Sequence, residues 1–306
     1  MLKYPSYLNL SKDELNDRVQ RAFDLMDGCS LCPRGCGVDR TKGEVGYCKT
    51  GSIPFVSSWG PHYGEERPLV GMYGSGTIFF GNCNLGCIFC QNYSISHLGE
   101  GSYMSYDELA DIMLRIQDRG CHNLNLVTPT HQMPMILRSL QIAINRGLMI
   151  PVVYNCGGYE SIDAVRLLEG VVDIYMPDIK FADSAVSERL ADAKDYFQCC
   201  KEAVREMHRQ VGDLEIVGGI AKRGLLIRHL VLPNGLSGTE KVMEFIVKEI
   251  SPMTFVNIMD QYYPCYKAHE DELINRRITQ QEYRSALNIA KKVGIKRDDP
   301  KIHWWS

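Results

Sequence analysis

Between Gly76 and Met259 six short apolar runs alternate with helix-length stretches, and that alternation leaves few folds open to a chain of 306 residues. The runs are 77–80, 124–128, 151–155, 172–176, 225–232 and 254–259. Strands separated by helices of ten or more residues pair in parallel, because a crossover of that length returns the chain to the same end of the sheet. Six such units predict an α/β fold, an incomplete (β/α)6 barrel. Helix signals fall where the pattern needs them. Capping boxes stand at Ser11/Glu14, Ser105/Glu108, Ser237/Glu240 and Thr279/Glu282. Pro134 opens one helix and Gly147 follows its end. Ala193, Tyr196, Phe197, Cys200 and Val204 trace one face of another.

Outside the alternation the character changes. Residues 1–75 are read as an N-terminal helix followed by a Gly-, Pro- and Cys-rich extension, 76–265 as the barrel and 266–306 as a C-terminal helical tail. An apolar fraction of 45% is enough for a full core. The net charge of -3 is spread along the chain without a basic run, so nothing points to nucleic acid. The first residues lack the apolar core of a signal peptide, and no stretch is apolar enough to span a bilayer. The expectation is a cytoplasmic protein without a membrane or nucleic-acid partner.

Twelve cysteines are many for such a chain. Reducing compartments disfavour disulfides, so clustered thiols point to metal. Cys83, Cys87 and Cys90 fall in the loop after the first barrel strand. Three thiolates can hold three irons of a [4Fe–4S] cubane and leave the fourth open to a small molecule. Gly86 would let that loop bend closely round the cluster. The plain alternative is a zinc loop or three buried thiols, although a closed zinc site wants a fourth ligand.

This C-x3-C-x2-C run at the end of a first barrel strand resembles the radical S-adenosylmethionine (SAM) superfamily. With Phe89 before the third cysteine and Gln91-Asn92 after it, the loop is similar to that of the glycyl-radical-enzyme activases. The resemblance implies that SAM chelates the open iron. An electron from flavodoxin or ferredoxin then splits it, and the 5′-deoxyadenosyl radical removes a hydrogen atom from the substrate. It also implies cofactor contacts at Phe89, at Asn155 in the turn Asn155-Cys156-Gly157-Gly158, at Asp178 and Lys180 in an Asp-x-Lys motif, and at Arg228 on the fifth strand. Lys180 would pair with the SAM carboxylate or serve the reaction site; a surface salt bridge and a structural ion pair are the plain alternatives for these charges. Many members carry Gly-Gly-Glu after the second strand, where this chain has Thr128-Pro129-Thr130-His131. Thr128, Thr130 or a neutral His131 would accept the SAM ammonium instead. His131 could equally do acid–base work on the substrate, or cap the following helix.

Cys29, Cys32, Cys36 and Cys48 form a second group, read as an auxiliary [4Fe–4S] cluster or a structural zinc, with unligated thiols as the plain reading. Cys156 and Cys200 are most simply core. The leading function is a radical enzyme acting on a protein or peptide backbone, as activases do. The alternatives are a radical enzyme acting on a small molecule or peptide side chain, and a non-catalytic metal scaffold.

Overall fold

The computed structural model describes residues 3–297, so the last nine residues of the expected tail lie outside it. Six parallel strands form the body: β2 (Ser75–Phe80), β4 (Leu124–Val127), β5 (Val152–Cys156), β6 (Ile174–Pro177), β8 (Ile220–Leu230) and β9 (Phe255–Met259). Among the described residues β9 pairs with β8 and β2 with β4, while β2 and β9 do not pair, so the barrel is open. The connecting helices bury their apolar faces on the sheet in one continuous core. Three of the four capping boxes are formed, at Ser11, Ser105 and Thr279.

The fourth is not. The helix Thr239–Phe245 is entered from Gly238 in a left-handed conformation, and no side chain caps it. The Ser237 hydroxyl turns back to accept the Leu232 N–H. A local four-residue pattern was outcompeted by the turn that precedes it.

Three strands missing from the sequence reading extend the sheet. β1 (Phe55–His62) runs antiparallel along β2, and β3 (Ser102–Tyr103) pairs with β1. Gly60 and Pro61 lie inside β1 and masked it, since proline is confined to sheet edges. β8 also begins five residues before the expected start, forming a hairpin with β7 (Glu215–Val217) through Gly218-Gly219, both at positive φ. The N-terminal residues close the far end of the barrel. Tyr7 is buried with its hydroxyl on the Ile150 carbonyl, and the Ser6 N–H donates to Asp173. The final helix, Gln280–Val293, packs on Thr239–Phe245.

Candidate active site

The C-terminal ends of the parallel strands surround a recess of about 240 Å3, lined by Cys83, Cys87, Cys90 and Phe89 on one side and by Thr128, Asn155, Asp178, Lys180 and Arg228 on the other. The cysteine loop is held by main chain: the N–H groups of Gly86 and Ile88 donate to the carbonyls of Ala191 and Leu190, at the end of the helix Ser184–Ala191. A Cβ on Gly86 would sit 2.4 Å from the Tyr47 hydroxyl. Glycine here leaves room for the close approach of Tyr47. Leu85 N–H points at Cys83 Sγ (3.4 Å), Ser96 Oγ lies 3.1 Å from Cys90 Sγ, and His97 Nε2 lies 3.0 Å from the Cys87 carbonyl. Burial pushes the Cys83 thiol up to about 12 and Cys87 further, so iron binding must displace their protons. Phe89 is wedged edge-on between Phe181 and Tyr262, which fixes the loop against the barrel wall.

Opposite the loop stands an array of charges. Arg228 Nε donates to Asp178 Oδ1 (2.7 Å), and Arg228 Nη2 to Asn155 Oδ1 (2.8 Å). Lys180 Nζ pairs with the other Asp178 oxygen. Burial alone would raise the Asp178 carboxyl, but Arg228 and Lys180 outweigh it and hold it below the usual carboxylate range. Burial would likewise lower the Lys180 ammonium, yet Asp178 and Cys87 keep it above its ordinary value. A fixed ammonium beside the cysteines suits a carboxylate ligand in a poorly hydrated cleft. These partners answer the structural reading of the charges too: all three are ion-paired, and all three line the recess.

Support comes from residues to which the sequence reading gave no part in the site. The Tyr196 hydroxyl lies 2.9 Å from the carbonyls of both Gly157 and Asp178 and accepts the Lys180 N–H. Behind Arg228 stand Glu65, at 3.8 Å, and the buried Glu66, which accepts from Asn257. Nothing local marks these two glutamates; they lie in the turn between β1 and the short helix Arg67–Val70, which the fold brings behind Arg228. Gly158 has φ +78°, and a Cβ there would meet the Asp178 carbonyl at 2.3 Å. Gly158→Ala is expected to destabilise the protein by ~2–4 kcal/mol through combined strain and overpacking, read as a lowered midpoint in urea.

Two expected cofactor contacts are not in the recess. β4 delivers Thr128 to it, but the chain then turns through Thr130–Gln132 and carries the next side chains inward. Thr130 is buried and donates to Glu160 (2.6 Å), whose carboxyl burial pushes up to about 7. His131 is 1% exposed, with Nε2 on the Gly81 carbonyl at 2.8 Å. Burial pushes its imidazole down to about 4, so it stays neutral through the range where a free histidine titrates. It makes no side-chain cap, and the helix Met133–Asn145 starts without one. Its neighbours are instead Cys29, Cys32, Cys36 and Cys48, which line a separate small recess with it. All twelve cysteines are free thiols. Among the described residues no three His, Cys, Asp or Glu side chains stand around a single-ion position. A cubane takes each thiolate on a different iron, and the three recess thiols with their N–H and hydroxyl neighbours fit that donor set.

An open parallel barrel with three loop cysteines facing a charged cleft defines an iron–sulfur radical enzyme class, and the sequence comparison agrees. Residues 77–222 match the radical SAM superfamily. Members of that superfamily hold a [4Fe–4S] cluster and SAM. The chain belongs to a family with uncharacterized protein MJ0674 of Methanocaldococcus jannaschii, at 36% identity over 291 residues, covering 92% of this chain and 79% of the relative. MJ0808 of the same organism is 23% identical over 261 residues, covering 78% and 71%. Among solved structures, HydG, a maturase of the [FeFe]-hydrogenase, aligns with a TM-score of 0.47 at 12% identity, over 94% of this chain and 62% of that one. Streptococcus suis SuiB bound to precursor peptide SuiA gives 0.47 at 10%, over 69% and 43%. Likenesses this partial carry no weight for function. No helix among the described residues is long and apolar enough to cross a membrane.

Proposed function

We propose that the chain binds SAM against a [4Fe–4S] cluster on Cys83, Cys87 and Cys90 and directs hydrogen abstraction at the backbone of a protein or peptide, as in glycyl-radical-enzyme activases. The carrying observation is that three thiols and the Asp178–Lys180–Arg228 array face each other across one recess. When bound, the cluster supplies the electron that splits the sulfonium. The protein's own groups bind and orient. Lys180 offers its ammonium to the SAM carboxylate, and Asp178 keeps that ammonium charged and aimed. Thr128 and Asn155 present oxygens to the SAM amino group where a glutamate is lacking. Phe89 and Tyr262 keep that side of the recess dry.

A polypeptide substrate is supported by the open side of the barrel and by the rim beside the cysteine loop. There Tyr93 and His97 both stack on Tyr266, at 5.3 and 4.6 Å between ring centroids, and Tyr93 is exposed. Stacked, partly exposed rings offer apolar area and hydrogen-bonding edges to an extended chain. Flavodoxin or ferredoxin is the electron donor in this reading, and the protein works in the cytoplasm.

Anaerobically reconstituted protein given dithionite and SAM is expected to form 5′-deoxyadenosine. Added to the protein partner that co-purifies anaerobically, it is expected to leave a glycine-centred radical visible by electron paramagnetic resonance. No 5′-deoxyadenosine from protein with a full cluster would defeat the enzymatic reading. Turnover with a small molecule and no polypeptide radical would replace the substrate class.

A further inference from the structure

The four-cysteine head contains a charge that no carboxylate among the described residues neutralises. Arg40 is 1% exposed, one of the largest fully buried side chains. Its Nη2 donates to the carbonyls of Gly51 (2.6 Å) and His131 (2.8 Å), and its Nη1 lies 3.8 Å from Cys29 Sγ. Its Nε has no partner, and among the described residues no carboxylate is within ion-pair distance. A guanidinium cannot shed its proton, so burial cannot neutralise it as it would a lysine. An isolated buried charge costs several kcal/mol, and a neutral thiol is too weak an acceptor to offset that.

Burial pushes the Cys32 thiol up to about 12, as in the catalytic loop, while N–H groups around the head point at its sulfurs. Cys29 pairs with the far arm of the head, its N–H on the Val38 carbonyl and its own carbonyl receiving the Gly37 N–H. The Tyr47 N–H points at Cys36 Sγ (3.4 Å), and a main-chain N–H at Arg34 serves Cys32. Gly46 leaves that approach open, since a Cβ would stand 2.7 Å from Cys36 Sγ. Three of the four sulfurs thus each have an N–H donor. The buried His131, whose Nδ1 is also without a partner, lines the same recess.

We propose that Cys29, Cys32, Cys36 and Cys48 bind a metal centre as four thiolates, and that Arg40 is its buried counter-charge. The metal takes the place of the four thiol protons, side-chain rotation draws the sulfurs in, and the centre's net negative charge is the missing partner of the guanidinium. An iron–sulfur cubane and a single zinc share that chemistry. The head also braces the catalytic loop: Arg34 donates to the Asn84 carbonyl at 2.9 Å while lying over the Tyr47 ring at 3.7 Å. The centre fixes the fold of the segment that carries both Arg34 and Tyr47. None of this depends on the substrate or on SAM cleavage.

The test uses the full chain with Cys83, Cys87 and Cys90 all changed to Ala, so that no catalytic cluster contributes. It is reconstituted anaerobically in two arms, with iron and sulfide or with zinc. One arm is expected to hold metal stoichiometrically, about four irons or about one zinc per chain. Adding Cys36→Ser should lose it. Adding Arg40→Gln should speed metal loss to a chelator by about tenfold or more, the usual effect of removing a group that supports metal ligands. No stoichiometric metal in either arm, with native circular dichroism, overturns the site. An Arg40→Gln chain that keeps metal as long as its parent overturns the counter-charge. If that variant does not fold, Arg40→Lys decides: folding with metal retained supports a counter-charge, and failure to fold overturns it.

Discussion

Cys87→Ala is expected to bring 5′-deoxyadenosine formation down to the no-enzyme background and to remove the iron of the catalytic site. Three thiolates are the least that can hold a cubane with one open iron, so a two-cysteine loop cannot present SAM to a cluster. The side chain is buried, but the substitution removes a single sulfur atom, for which a cost of ~1 kcal/mol is ordinary. The fold should therefore survive, with the circular dichroism and urea midpoint close to those of the wild type. That separation makes the result readable: activity and iron vanish while structure stays. The same outcome is expected of Cys83→Ala and Cys90→Ala. A Cys87→Ala protein making 5′-deoxyadenosine at the wild-type rate would remove the central assignment.

Asp178→Asn should be the most damaging single change outside the cysteines. The carboxylate is the shared partner of two buried cations, Lys180 and Arg228. Breaking such a pair from one side leaves uncompensated charge, typically a loss of ~3–5 kcal/mol. Glu65 is the only other carboxylate in ion-pair reach of Arg228 among the described residues, at 3.8 Å, and it cannot serve Lys180 as well. Binding of SAM should weaken, because the ammonium that meets its carboxylate is no longer aimed; iron content should not change. The pH dependence follows from the lowered Asp178 carboxyl. Its contribution is fully present above the unfolded value of ~3.9 and is lost as pH falls through the lower folded value. The stability gap between wild type and Asp178→Asn should thus be flat from neutrality to about pH 4 and close only in stronger acid. Urea unfolding at several pH values measures the gap, and calorimetric titration of SAM measures the affinity. Equal midpoints and equal affinities in the two proteins would return Asp178 to a passive role.

Much of this was written locally. The strand–helix alternation, three capping boxes and the Pro134–Gly147 helix depend on residues a few positions apart, where backbone sterics and side-chain caps act without reference to the rest of the molecule. The three-cysteine loop was legible for the same reason: its spacing is its chemistry. Asn155, Asp178 and Lys180 were legible as polar residues at the ends of parallel strands, which topology gathers at one mouth, and Arg228 through the resemblance, as a charge inside an apolar strand. Thr130 and His131 looked equivalent to them and are not. They lie two and three residues beyond Thr128, and the turn at Thr130–Gln132 rotates them into the interior. Sequence position at a strand end does not specify which way a loop side chain faces.

What the sequence determined by itself was therefore periodicity, caps and ligand spacing, all short-range properties. The tertiary structure alone decided the rest. It placed β1 beside β2 and brought the turn that follows β1, with Glu65 and Glu66, behind Arg228. It set Tyr47 against Gly86, and it sealed Arg40 beside Cys29 and His131 with no carboxylate of the described residues in ion-pair reach. A buried charge takes its energy from whatever the fold brings within a few ångströms, and those neighbours come from anywhere in the chain.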